Sequence, residues 1–299
     1  GEILAEDDFE TPEDVTEALE LIRKSIKSLC AKEERRELKV IGVSVPGVID
    51  SERSRLIYAP HLGWRNVSIG DALRNACGKD ARSVPVIVEN DATAAALYEA
   101  RLRLQNANGG ILKNFLLLRS GTGIGVGLVI EGEVYRGVGK GEGIAGEFGH
   151  MTIVAGGKPC ECGNRGCWEK YASAAAASSL YTGDRIQLGS TKRPRFLDIV
   201  ARAEAGEIRA RSTLEKIGEY LGIGIGNVIT GLGVPHVIVS GRLVYGWKFI
   251  NSSLCEAVDK SMAGRLTNWT IEPGEPAGSG LGGALEVAVE EFLMHGLNA

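Results

Sequence analysis

The sequence predicts an α/β protein with mostly parallel sheets. Two observations carry that expectation. Short apolar runs ending at Pro, Gly, Asn or Asp alternate with longer segments of helical periodicity. The order strand–helix–strand then recurs along the chain, as in proteins whose helices cover a sheet. The 299 residues are enough for two lobes, each with its own core. A polar, glycine-containing stretch, "QNANGGILK" at 105–113, marks the expected boundary between them.

"TPEDVTEALELIRKSIKSLC" (Thr11–Cys30) reads as a helix, with Thr11 as N-cap and Pro12 at the first helical position. "VIGVSVPGVID" opens with a buried strand, Val40 to Val45, that ends at Pro46-Gly47. "VPVIVEN" (Val84–Asn90) is a second buried strand, passing directly into the alanine-rich helix "DATAAALYEARLRL". "FLLLRSGTGIGVGLVIEGEVYRG" (Phe115–Gly137) reads as strand, glycine loop, strand, tight turn at Glu131-Gly132 and short strand. Ala172–Gly222 is mostly helical, broken near "GSTKRPR". A long helix rich in small residues follows over Leu214–Gly233, then a strand at Pro235–Gly241. The helix "KFINSSLCEAVDKSM", the short strand "WTIEPG" and a final helix opened by "GSGLGG" complete the order.

The formal charge of −4 and pI near 5.8 exclude a basic nucleic-acid footprint in these residues. No run reaches the roughly 18 apolar residues of a transmembrane helix, and no membrane partner is expected. The acidic start "GEILAEDDFETPED" lacks a signal-peptide pattern. Cys30, Cys77 and Cys255 are isolated, which points to reduced thiols and a cytoplasmic location rather than a disulfide framework.

The chemistry concentrates in "GEFGHMTIVAGGKPCECGNRGCWEKY" (Gly146–Tyr171). His150, Cys160, Cys162 and Cys167 make a Cys3His set, the ligand count of a closed tetrahedral zinc site, with glycines between them for the turns. Cys-x-Cys is not the spacing of a redox pair. Glu147 and Glu169 flank the set. They are either solvated surface acids or acceptors for the hydroxyls of a polyol or sugar. Asp91, at the end of a buried strand, is either the N-cap of the next helix or a general base where α/β sheets place their ligands. "SGTGIGVG" (Ser120–Gly127) is either a phosphate cradle or a tight hairpin.

Together these segments resemble the ROK family of repressors, open reading frames and kinases. The resemblance rests on Glu-x-Gly-His (Glu147–His150) followed by Cys-x-Cys-Gly-x-x-Gly-Cys-x-Glu (Cys160–Glu169). "VPGVID", "YAPHLGW", "VENDATAAA" and "GTGIGVG" fall in the family's order. It implies a two-lobed actin-like ATPase fold of the sugar-kinase and ribonuclease H-like type, with a structural zinc on His150, Cys160, Cys162 and Cys167. The lobes would be 1–108 and 109–280, with 281–299 packing back on the first. A monosaccharide would be held by Gly47, Asn90, Asp91, Glu147, His150 and Glu169. In a kinase Asp91 would be the base. ATP with Mg2+ would meet Gly121, Thr122, Gly123, Gly125 and Gly241. A homodimer or homotetramer is implied.

The chain starts where the family's first phosphate loop, Asp-x-Gly-x-Thr, has already passed. Thr93 stands where family kinases often have asparagine, and Arg242 where many have glycine. These departures, with the wording of "YAPHLGWRNVSIGDAL", bring the chain closer to the repressor branch. Two readings follow. One is the sugar-binding effector region of a transcriptional regulator, whose winged helix-turn-helix would lie ahead of these residues and contact DNA. The other is an ATP-dependent hexose kinase.

Overall fold

The computed structural model describes residues 3–32, 37–50, 52–74, 84–105, 112–138, 143–183 and 193–295. Cys77 and the boundary stretch 106–111 lie outside them. In the first half, β1 (Ile41–Val45) and β5 (Val86–Asn90) pair parallel, from Ile41 opposite Val86 to Val45 opposite Asn90. The chain leaves β1 through Gly47 at φ +110°, where a Cβ would lie 2.8 Å from the Cα of Ala59. Only glycine tolerates both the φ and the contact. An antiparallel meander follows, β2 (Val48–Ile49), β3 (Leu56–Ala59) and β4 (Trp64–Val67), which the sequence reading does not predict. Its strands are two to four residues long, and Trp64–Val67 is buried only at its two ends, so no alternation betrays it.

Helix α1 (Val15–Lys32) lays Ala18, Leu19, Ile22 and Ile26 against this core. It begins after Asp14, whose Oδ1 accepts the N–H of Glu17 at 2.9 Å. Asp14 is therefore the cap, and the expected cap at Thr11 is corrected: Thr11 and Pro12 belong to the non-helical lead-in. A short helix, α2 (Ile69–Leu73), closes the meander.

The second sheet has the order β10-β9-β6-β7-β8, from β6 (Phe115–Ser120), β7 (Ile124–Ile130), β8 (Glu133–Tyr135), β9 (His236–Gly241) and β10 (Thr270–Pro273). β10, β9 and β6 run parallel, whereas β6–β7 and β7–β8 are antiparallel. Among the described residues the antiparallel ladders therefore outnumber the parallel ones, a correction to the expected mostly parallel sheets. The cause is local. Glu131 and Gly132 both have positive φ (55° and 87°), the two-residue turn that joins antiparallel neighbours.

Eight further helices complete the described order: α3 (Asp91–Gln105), α4 (Glu169–Ala172), α5 (Ala174–Thr182), α6 (Phe196–Glu204), α7 (Ile208–Leu232), α8 (Trp247–Asp259), α9 (Met262–Leu266) and α10 (Ser279–His295). The 25-residue α7 is the spine of the larger core, with Leu214, Ile217, Leu221 and Ile225 buried. Each such side chain contributes about 1.5–3 kcal/mol. Trp168 is fully buried against α7 and donates its Nε1–H to the Tyr220 carbonyl at 2.8 Å.

Helix α3 packs on β6 and β7 of the second sheet and on α10. Ala92, Ala94, Ala95 and Ala96 are buried, and these small side chains let backbones approach from either side. A Cβ on Gly127 of β7 or on Gly283 of α10 would run into α3. α10 packs on α3 and β1. No described helix is long and apolar enough to cross a membrane.

Candidate functional site

Between Gly146 and Tyr171 the chain forms few regular elements. A 3-10 turn (Glu147–His150) is followed by isolated bridges at Thr152–Cys167 and Pro159–Arg165 before α4 begins at Glu169. His150, Cys160, Cys162 and Cys167 converge, with their ligand atoms all within 4.8 Å of one another. His150 Nδ1 lies 3.5 Å from Cys160 Sγ, and Cys162 Sγ 3.7 Å from Cys167 Sγ. A disulfide needs a separation of about 2.05 Å, and these cysteines are free. A tetrahedron with metal–sulfur bonds of about 2.3 Å has edges of about 3.8 Å, and the Cys162–Cys167 separation matches such an edge. Burial pushes the Cys160 and Cys167 thiols above their ordinary range.

The two glutamates meet at this cluster. Glu169 is 2% exposed; its Oε1 accepts from Cys160 Sγ at 3.1 Å, and its Oε2 lies 3.1 Å from His61 Nε2. Burial opposes ionisation of Glu169, but the hydrogen bond and charge of His61 hold it below the usual carboxylate range. The same bond raises His61. His150 turns Nδ1 to the thiols and Nε2 toward Glu147, 3.6 Å from its Oε2. Burial first, then the charges of Asp91 and Glu169, raise Glu147 to about 7. Near neutrality it both donates and accepts.

The opposite wall is the start of α3. Asn90 Oδ1 accepts the N–H groups of Ala92 (2.9 Å) and Thr93 (3.1 Å), which makes Asn90 the N-cap. The reading of Asp91 as N-cap is corrected: Asp91 is the first helical residue, and Arg119 Nη1 donates to its Oδ2. Asn90 Nδ2 donates to the Gly47 carbonyl at 3.0 Å and reaches Glu147 Oε1 at 3.4 Å. One contact chain thus joins Gly47, Asn90, Glu147, His150 and Glu169.

Beneath Asn90, Glu89 is 5% exposed. It accepts the Asn90 N–H at 3.1 Å and the Arg136 Nε–H at 2.8 Å, and Arg53 Nη2 lies 3.0 Å away. Arg136 also donates to Glu290 of α10 at 2.8 Å.

In the glycine loop, the Gly121 N–H donates to the Gly123 carbonyl at 3.1 Å, and Ser120 pairs with Gly241. A Cβ on Gly123 would lie 2.6 Å from His61 Nε2, so the loop abuts the His61–Glu169 contact. Gly125 is inside β7, where a Cβ would lie 2.7 Å from that of Ala92. A cleft of about 430 Å³ lies beside the loop, lined by His61, Thr122, Glu169, Lys170, Arg195 and Arg242 among others.

Sequence reasoning passed over His61, Arg119, Glu89 and Arg136. His61 lies in the quoted "YAPHLGW" and Glu89 in "VENDATAAA", but no local spacing links His61 to Glu169, 108 residues on.

A sequence model described as "ROK family" matches residues 1–291. The chain belongs to the ROK family. It is 32% identical over 229 residues to a xylose repressor of Bacillus subtilis, covering 76% of this chain and 54% of that one. It is 32% identical over 257 residues to a glucokinase of Halalkalibacterium halodurans, covering 81% of this chain and 74% of that one. This ROK chain thus spans about half the length of the curated repressor it matches. Its fold is that of a ROK glucokinase from Streptomyces griseus, solved with glucose and AMPPNP. The TM-score is 0.76 at 24% identity, covering 94% of this chain and 90% of that one. That likeness shows the fold: α/β and actin-like, as in the sugar kinases of the family.

Proposed function

We propose that this chain is the sugar-recognising region of a ROK-family transcriptional regulator, with two lobes, 1–108 and 109–280, and α10 returning to the first. One observation carries the reading. Asn90 touches Glu147, Glu147 and Glu169 both face His150, and Asp91 lies close enough for its charge to act on Glu147. Neutral polyhydroxylated ligands are held by such a set, because carboxylates accept from hydroxyls and the amide both donates and accepts. The relatives' names supply candidate ligands, xylose and glucose. DNA would be reached only through a domain ahead of these residues, and reduced thiols suit a cytoplasmic protein.

His150, Cys160, Cys162 and Cys167 would hold Zn2+. With four protein ligands such an ion would supply no activated water; it would fix the 3-10 turn that carries Glu147 and the start of α4 that carries Glu169. His150 would serve both sides, binding metal through Nδ1 and facing the sugar through Nε2.

The identity to a glucokinase favours a second reading, a hexose kinase. Asp91 would take the proton of the attacking hydroxyl, whose oxygen forms the bond to the γ-phosphorus as the bond to the departing ADP oxygen breaks. Gly121, Thr122, Gly123, Gly125 and Gly241, with Mg2+, would hold the phosphates. Operator affinity of the full-length protein, measured with and without sugar, tests the first reading; an unchanged affinity would sink it. Formation of sugar phosphate from ATP and Mg2+ would establish the second.

A further inference from the structure

Arg119 is a charged group of the site with no part in the function proposed above. It is the penultimate residue of β6, opposite Gly125 of β7 and Ser240 of β9. From there it reaches the first residue of α3, where Nη1 donates to Asp91 Oδ2. A Cβ on Gly280 would lie 3.3 Å from Arg119 Nη2, so the guanidinium sits between the starts of α3 and α10. Its Nε is buried and makes no hydrogen bond in the described structure. The side chains of Arg119 and Asp91 are only 32% and 23% exposed.

Two physical consequences follow. A charge-assisted bond in such a half-buried place is stronger than one at the surface. The oxygen it occupies offers less to any other donor, because the guanidinium takes one lone-pair direction and withdraws charge from the whole carboxylate. A sugar hydroxyl that needs Asp91 therefore meets an acceptor already engaged. Asn90 and Glu147 have no arginine partner among the described residues: Asn90 Nδ2 donates to the Gly47 carbonyl and reaches Glu147 Oε1, while Glu147 Oε2 faces His150 Nε2 at 3.6 Å.

We propose that Arg119 is a specificity-determining residue that competes with the ligand's hydroxyl for Asp91, so that a sugar binds only if it can displace or share the guanidinium. The inference rests on the reading of Asp91 as a sugar ligand. It also bears on the kinase alternative, since the guanidinium occupies one of the two oxygens that would meet the attacking hydroxyl.

The test is calorimetric titration of the metal-loaded chain with D-xylose and with D-glucose, using wild type, R119Q, D91N and the double variant. Competition predicts that R119Q tightens binding by about tenfold, and that this gain disappears in the D91N background. R119K, which keeps the charge without the planar fork, should fall between wild type and R119Q; it also serves if R119Q does not fold. Unchanged or weaker binding by a folded R119Q, or a gain that persists with D91N, would overturn the competition alone. Absence of binding by all the proteins would overturn the sugar reading and the competition with it.

Discussion

The wall of the site from Gly146 to Tyr171 contains one 3-10 turn, two isolated bridges and glycines at positive φ (Gly156, Gly163, Gly166). The facing wall is a regular strand, β5, running into the 15-residue helix α3. Both present polar groups to the same space, yet they are held by different forces. The first is held by turn and bridge hydrogen bonds, such as Ile153 and Val154 N–H to the Gly166 carbonyl and Cys160 N–H to the Asn164 carbonyl, and it gathers His150 and three cysteines. The second is held by an N-cap, by an alanine face packed against β7 and α10 and by the buried Glu89. Short helical turns next to a Cys/His cluster can place carboxylates as firmly as a regular strand and helix do, provided something ties the turns together.

The sharpest way to break this contrast is Cys162→Ala. It should remove the metal and destabilise the chain by about 4 kcal/mol or more, since metal loss is among the few single changes with so large an effect. Metal analysis with thermal melts checks it; a metal-loaded variant of wild-type stability would refute the ligand set. On the facing wall, Arg136→Gln should cost about 2 kcal/mol, because it leaves Glu89 and Glu290 short of a donor. Metal content should stay unchanged, and urea denaturation reads the difference.

Asn90→Ala should cost about 1–2 kcal/mol for the lost cap and also weaken sugar binding. Asn90→Asp separates the two roles, since it keeps an acceptor for Ala92 and Thr93 but loses the donor to Gly47. It should retain most of the stability and still bind sugar poorly.

The smallest effect concerns the His61–Glu169 contact, which ties the first wall to the turn between β3 and β4. His61 is raised above its ordinary 6.5 by its bond to Glu169. The stabilisation is therefore fully present below that value and lost as pH rises through the folded-state value. Unfolding free energies of wild type and His61→Gln from thermal melts should differ at pH about 5.5, by no more than about 1 kcal/mol, and converge at high pH. A constant difference across the range would show that the contact is not ionic.

Legibility in the sequence follows the same division. The cysteine wall is readable because ligand number and spacing are local, and Cys160-x-Cys162 with Cys167 and His150 leaves few alternatives. The glycine hairpin is readable from Glu131-Gly132. The other wall is harder. Asn and Asp are equally good caps, so adjacent Asn90 and Asp91 cannot be ranked by type; Thr11 misleads for a different reason, because Pro12 after it has the look of a first helical residue. The β2–β4 meander is too short to show a period and forms through pairing with its neighbours. Arg119 reads as one polar residue in an apolar strand. Its partner lies 28 residues earlier, and only the fold places the two together.

The central claim is that these two walls bind a sugar. Calorimetric titration of the metal-loaded chain with a panel of neutral aldoses, repeated with Glu147→Gln, tests it most directly. The account predicts saturable one-to-one binding of at least one aldose, weakened at least about tenfold in Glu147→Gln with the metal retained. Folded, metal-loaded protein that binds none of the panel would contradict it.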